Sequence, residues 1–215
     1  MKERFDLIIF DWDGTLVDSI DWITHCLKKA ASLQGFNIPD DQAARDTIGL
    51  SIQKAMTKLF PGINQNIQDQ MTESYRQEYF SKQMTEDDLF AGINEMLISL
   101  KQMDYQLAIA TGKNRSGLDK ALHGTGLNDF FHITRCADET ASKPSPNMLE
   151  EIIEETGISR ERTVMIGDSV HDLKMASNAG MASIAVSCGA NSVEQLELHN
   201  PLLILQQTTT VLDIL

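Results

Sequence analysis

Short apolar runs punctuate the chain, and each of the clearest ones ends abruptly in polar residues. Residues 6–10 (DLIIF) lead into Asp11, residues 106–110 (QLAIA) into Thr111, and residues 163–166 (TVMI) into Gly167-Asp168. Residues 181–187 (MASIAVS) and 202–205 (LLIL) are similar but less sharply ended, and residues 130–136 (FFHITRC) are strand-like. Continuous apolar runs of this length predict strands buried on both faces. Helical spacing lies between them: Ile93, Met96, Leu97, Leu100 and Met103; then Leu149, Ile152 and Ile153; then Leu173 and Ala176. Strands alternating with helices predict βαβ units and hence an α/β fold around a parallel sheet.

Residues 16–85 break the alternation. Ile20, Ile23, Leu27 and Ala30 form one helical face, which Gly35 is suited to end. Ile52, Met56 and Leu59 follow Ser51, a predicted N-cap. Ile67, Met71 and Tyr75, spaced by four, start a third and strongly polar helix. No strand-like run occurs here. The expected organisation is therefore a sheet core of residues 1–15 and 86–215, interrupted by a helical unit of residues 16–85. The glycine-rich stretch at 124–129 (GTGLND) follows a helical segment and lacks the last glycine of a dinucleotide-binding turn, so it reads as a helix end.

Composition narrows the function. A formal charge of −13 disfavours a nucleic-acid partner, because phosphate backbones attract basic stripes. No segment approaches the roughly 18–20 apolar residues of a membrane span, and the N-terminal residues lack the apolar stretch of a signal peptide. Cys26, Cys136 and Cys188 match no zinc or disulfide spacing and read as reduced, mostly buried thiols. A cytoplasmic protein, monomeric or a small homo-oligomer, is expected.

The chemistry concentrates where strands end. In open parallel sheets, ligands bind outside the carboxyl ends of strands, where strand order reverses. Asp11, Asp13, Thr111, Gly167 and Asp168 all occupy such positions and should converge. If extended geometry continues past Phe10, Asp11 and Asp13 point together and Trp12 points away. Asp168 and Asp172 add carboxylates at the same edge, which calls for a cation. Hard oxygen ligands suit Mg²⁺. Thr111, the Gly112 backbone N–H and Lys143, stiffened by two nearby prolines, supply the donors and positive charge that a phosphate would need.

Four stretches, FDWDGTLVDS, ATGK, KPSP and GDSVHD, resemble in this order the four motifs of the haloacid dehalogenase-like hydrolase superfamily. The resemblance spans the chain and implies a three-layer, Rossmann-like core, with residues 16–85 as its inserted, all-helical class I cap. It is closest in character to phosphoglycolate-phosphatase-like enzymes. It implies that Asp11 is a nucleophile forming an aspartyl-phosphate and that Asp13 protonates the leaving oxygen and then activates water. Mg²⁺ would be held by the Asp11 side chain, the Asp13 main-chain carbonyl and Asp168. Asp172 would support the metal through its waters or by orienting Lys143. Thr111, Gly112 and Lys143 would hold the phosphoryl oxygens. An acid at position 13 separates phosphatases from the dehalogenases and phosphonate-cleaving members.

The expected substrate is therefore a small phosphorylated metabolite, such as phosphoglycolate or a sugar phosphate. Residues 45–51 (RDTIGLS) resemble the cap loop that faces the active site, and Arg45 is placed to meet a substrate carboxylate. Two alternatives remain: a phosphosugar mutase, which needs further acid/base groups in the cap, and a phosphate-binding regulator without turnover. His171 lies inside the fourth motif, with no metal-ligand spacing to any other histidine.

Overall fold

The computed structural model describes residues 4–215. The first strand, β1 (Leu7–Phe10), is followed by four helices: α1 (Ile20–Leu33), α2 (Asp41–Arg45), α3 (Ile52–Leu59) and α4 (Gln65–Tyr79). Helix and strand then alternate through α5 (Ile93–Gln102), β2 (Gln106–Thr111), α6 (Arg115–Thr125), β3 (Ile133–Cys136) and α7 (Asn147–Thr156). The chain finishes through β4 (Thr163–Gly167), α8 (Val170–Asn178), β5 (Ala182–Val186), α9 (Val193–Glu197) and β6 (Ile204–Leu205). Every expected strand is present. Helix α2 was not anticipated: it has five residues, of which only Ala44 is buried, so it leaves no apolar periodicity to read.

All strand pairs are parallel, in the order β3-β2-β1-β4-β5-β6. The chain builds outward from β1 to β3, then returns to place β4 on the other side of β1. The order therefore reverses between β1 and β4, which sets the ligand crevice beyond their carboxyl ends. Alternate residues of β1 serve opposite faces. Ile8 and Phe10 pack with Leu97 and Leu100 of α5 and Leu118 of α6, and Leu7 and Ile9 pack with Leu149 and Ile152 of α7 and Met175 of α8. All four β1 residues are fully buried, each contributing about 1.5–3 kcal/mol through its burial. This three-layer arrangement is the α/β, Rossmann-like fold expected from the sequence.

The four helices after β1 surround a separate cluster that includes Ile20, Leu27, Ala30, Ala44, Met56 and Met71. Ser51 caps α3 by accepting from the Lys54 N–H, and Gly126 ends α6 with a positive φ, both as read from the sequence. Among the described residues the cysteines form no disulfide; Cys26 and Cys136 are buried and Cys188 is half-buried. Burial pushes the Cys26 and Cys136 thiols up to about 12. No helix among the described residues is long and apolar enough to cross a membrane.

Candidate active site

The site begins where β1 stops. The Asp11 N–H still donates to the Ile166 carbonyl of β4 at 2.9 Å, so Asp11 sits at the last position of the sheet. Extended geometry does not continue beyond it. The Trp12 carbonyl accepts from the N–H groups of Thr15, Leu16 and Val17, closing a tight turn. Trp12 is nevertheless buried against the sheet, while Asp11 and Asp13 both border one cavity. Gly14 makes the turn feasible: its φ is +77°, and a Cβ there would lie 2.2 Å from Oδ2 of Asp168.

Four buried charges converge at this point. Lys143, fully buried, places Nζ 2.7 Å from Oδ1 of Asp11 and 2.6 Å from Oδ1 of Asp172. Asp172 is held in turn by Ser169, whose Oγ donates to its Oδ2 at 2.6 Å, in a capping box that starts α8. Asp172 therefore caps a helix and anchors the lysine at once. Asp168 accepts from Thr15 Oγ1 at 2.8 Å and from the Ala190 N–H at 2.7 Å. Oxygens of Asp11, Asp168 and Asp172 lie within 4.8 Å of one another.

The electrostatics show what this crowding costs. Burial, then the charge of Asp172, holds the Asp11 carboxyl well above the usual carboxylate range, against the pull of Lys143. The same two causes raise Asp168 to about 7, despite the donors from Ala190 and Thr15. Burial works against the Lys143 ammonium, but Asp11 and Asp172 outweigh it and keep it charged. One lysine among three carboxylates leaves the cluster short of positive charge. Oδ2 of Asp11 has no hydrogen-bond partner among the described residues. Three buried acids with oxygens this close, and only one lysine among them, are the donor set a hard divalent cation prefers, so these residues fit Mg²⁺.

A second pair faces Asp11 across the turn. Asp13 accepts from Ser19 Oγ at 2.6 Å and pairs with Lys113 Nζ at 2.9 Å. Lys113 also donates to the Tyr79 hydroxyl of α4 at 2.5 Å, its ammonium 4.6 Å from the ring centroid. Lys113 is not among the residues that the sequence singles out. Its only signal was adjacency to Thr111-Gly112, because its partners lie 34 and 100 residues away. Thr111 is buried at the end of β2 and accepts the Lys113 N–H at 3.2 Å.

Residues 47–51 close over this floor and line the cavity. A Cβ on Gly112 would fall 2.6 Å from the carbonyl oxygens of both Gly49 and Leu50, so this approach requires glycine. Lys54 of α3 reaches down to the carbonyls of Ser142 and Lys143 at 2.8 and 3.1 Å. His171 Nε2 lies 3.0 Å from the Asp46 carbonyl, tying α8 to the same loop, and burial lowers its pKa. Arg45 lies elsewhere. Its guanidinium pairs with Asp21 at 2.5 Å, and it does not line the cavity.

Residues 8–186 match the model of the haloacid dehalogenase-like hydrolases. The chain belongs to this family. It is 33% identical to the probable phosphatase IndB of Dickeya dadantii (strain 3937), over 95% of this chain and 91% of that protein. It is 29% identical to the pyrophosphatase PpaX of Listeria monocytogenes serotype 4a (strain HCC23), over 100% and 98%. Its fold matches the crystal structure of a predicted phosphoglycolate phosphatase from Haemophilus somnus 129PT with a TM-score of 0.84, at 21% identity and covering 100% and 99% of the two chains. The chain is thus a member of an enzyme family of hydrolases, sharing its fold as well as its sequence pattern.

Proposed function

We propose that this hydrolase is a Mg²⁺-dependent phosphatase of a small phosphate monoester, working through an aspartyl-phosphate on Asp11. The observation that carries the reading is the position of Asp11: it borders the cavity, pairs with Lys143 at 2.7 Å and keeps Oδ2 free of hydrogen bonds. That oxygen attacks phosphorus, the bond to the leaving oxygen breaks, and Asp13 gives the leaving oxygen its proton. Water then attacks the aspartyl-phosphate while Asp13 takes the proton back, releasing phosphate and the Asp11 carboxylate. Splitting one displacement into two lowers each barrier, and proton transfer by a positioned carboxyl contributes about 10²–10⁴-fold.

Thr111, the Gly112 N–H and Lys143 hold the phosphoryl oxygens, where fixed donors and charge are worth most. Asp11, the Asp13 carbonyl and Asp168 would hold Mg²⁺, with Asp172 fixing Lys143 beside it. When bound, the cation supplies the charge that lets a dianionic phosphoryl group approach this acidic floor.

A hydrolase is favoured over the mutase alternative by the cap's side of the cavity. Its residues from α1, the 47–55 segment and α4 include no carboxylate and no histidine, so a second acid/base pair is lacking there. A non-catalytic regulator fits less well, since Asp11, Asp13, Lys143 and Asp168 are all retained and brought together. The test is phosphate release from 4-nitrophenyl phosphate. It should require Mg²⁺ and fall by at least about a thousandfold in Asp11→Asn. Full activity of that variant would remove Asp11 as nucleophile.

A further inference from the structure

We propose that the substrate's leaving group is uncharged and presents an apolar or ring-shaped face to the cap; this rests on the phosphatase reading and narrows it. The cavity encloses about 140 Å³. Above Asp11 and Asp13 its wall is formed by Ile23 and Leu27 of α1, Ile52 of α3, Tyr75 and Tyr79 of α4, and Phe80. The two tyrosines stack at 5.7 Å between centroids with 20° between planes, and Phe80 meets Tyr79 edge-on at 5.5 Å. Such a surface rewards burial of apolar area and aromatic contact.

The polar groups of the wall are largely occupied. Thr47 Oγ1 donates to the Ala44 carbonyl at 2.7 Å. Ser51 Oγ caps α3, and Asn114 Oδ1 caps α6. The Tyr79 hydroxyl is taken by Lys113, and Asp138 Oδ1 accepts the Arg115 N–H at 2.8 Å. Free donors include the Tyr75 hydroxyl, the exposed amide of Gln53, the Asn114 Nδ2 and the guanidinium of Arg76, enough to meet a few acceptors on a ring. A hydroxyl-rich sugar would be left with unmade hydrogen bonds, which a buried site penalises.

Charge points the same way. The lining holds Asp11, Asp13 and Asp138 against Lys113 and Arg76, and Lys113 already pairs with Asp13. Lys143 and the cation site serve the transferred phosphoryl group. With Asp11 paired to Lys143 and Asp13 to Lys113, a leaving group that is itself a phosphate, as in pyrophosphate, or that carries a carboxylate beside the ester, as in 2-phosphoglycolate, would meet Arg76 alone, with Asp138 offsetting its charge in the same lining. The carboxylate partner expected for phosphoglycolate, Arg45, is engaged by Asp21 outside the cavity.

The experiment measures kcat/KM with Mg²⁺ for benzyl phosphate, methyl phosphate, 2-phosphoglycolate and pyrophosphate. The first three are alkyl esters, so chemical reactivity differs little among them. Benzyl phosphate should exceed each of the others by tenfold or more. In Ile52→Asp, which puts a charge on the wall, the benzyl-to-methyl ratio should fall at least fivefold. Pyrophosphate or 2-phosphoglycolate as the preferred substrate, or a benzyl-to-methyl ratio near one, overturns the inference while leaving a phosphatase. Turnover of none of the four removes the phosphatase reading, and the inference with it.

Discussion

Beneath the cavity, which Asp11 borders, Asp11, Lys143, Asp168 and Asp172 form a buried charged floor; each is at most 1% exposed, and every one of them answers to another's charge. On the wall above, Ile23, Leu27, Ile52 and the stacked tyrosines face the same space with no charge at all. Asp11 and Asp168 stand at strand ends of the sheet, Asp172 in the first turn of α8 and Lys143 just before α7. The wall is carried on helices that pack around their own apolar cluster. Buried charges cannot move without loss, so the floor is suited to one chemistry on one group, the phosphoryl. An apolar wall tolerates replacement by residues of similar volume, so it is the part that can be retuned to a new alcohol. The contrast teaches that reaction and specificity are held here by different physical forces.

The harshest way to break this contrast is to remove the charge on which the floor depends. Lys143→Met leaves Asp11 and Asp172 without their shared partner, inside a site that already raises the Asp11 carboxyl well above its normal range. Losing one member of a buried ion pair costs about 3–5 kcal/mol. In a chain of this length about 3 kcal/mol corresponds to roughly 6–12 °C in Tm. Activity should fall at least about a hundredfold, and Mg²⁺ should recover part of the lost Tm because it restores positive charge. An unchanged Tm by circular dichroism would show that the floor's charges are not balanced through Lys143.

A milder test sets metal against protons. Asp168 rises from 3.8 to about 7 on folding without metal, and Asp11 rises as well. Between those limits the folded chain holds protons that the unfolded chain has released, so metal-free stability falls as pH rises from about 4 to about 7. Mg²⁺ competes for the same oxygens and must displace those protons. The gain in Tm on adding saturating Mg²⁺ should therefore grow between pH 5 and pH 7.5. A gain that is constant or shrinks over that range would mean that the cation does not sit on these carboxylates. The wall, having no titratable group of this kind, should contribute nothing to the trend.

The floor was legible in the sequence because each of its members ends an apolar run or sits in a short motif. Asp11 and Asp168 follow strands that pair directly, Phe10 opposite Ile166, so their meeting follows from the topology alone. The contact of Asp172 with Lys143 was one of two roles the resemblance implied for Asp172; spacing alone could not give it, since 29 residues and α7 separate them. The wall was legible only in part. Ile23 and Leu27 could be read as one face of α1, but that face serves both the helices' own apolar cluster and the cavity, and periodicity cannot divide it. Lys113, Tyr79 and Lys54 act across elements distant in sequence and carry no local pattern that marks them.

Arg45 is where the wall departs from the sequence expectation, and it offers the smallest and sharpest test. The resemblance of residues 45–51 to an active-site cap loop implies a carboxylate receptor, yet Arg45 closes α2 and turns to Asp21, whose side chain is 91% exposed. Ion pairs this open are worth about 0–1 kcal/mol. Arg45→Ala should therefore change Tm by no more than about 2–4 °C and kcat/KM for any ester by less than about threefold. A tenfold rise in KM confined to 2-phosphoglycolate, with benzyl phosphate untouched, would mean that the guanidinium leaves Asp21 when a carboxylate enters. The wall would then gain a second guanidinium beside Arg76 only on binding, and its mainly apolar character would describe the empty cavity alone.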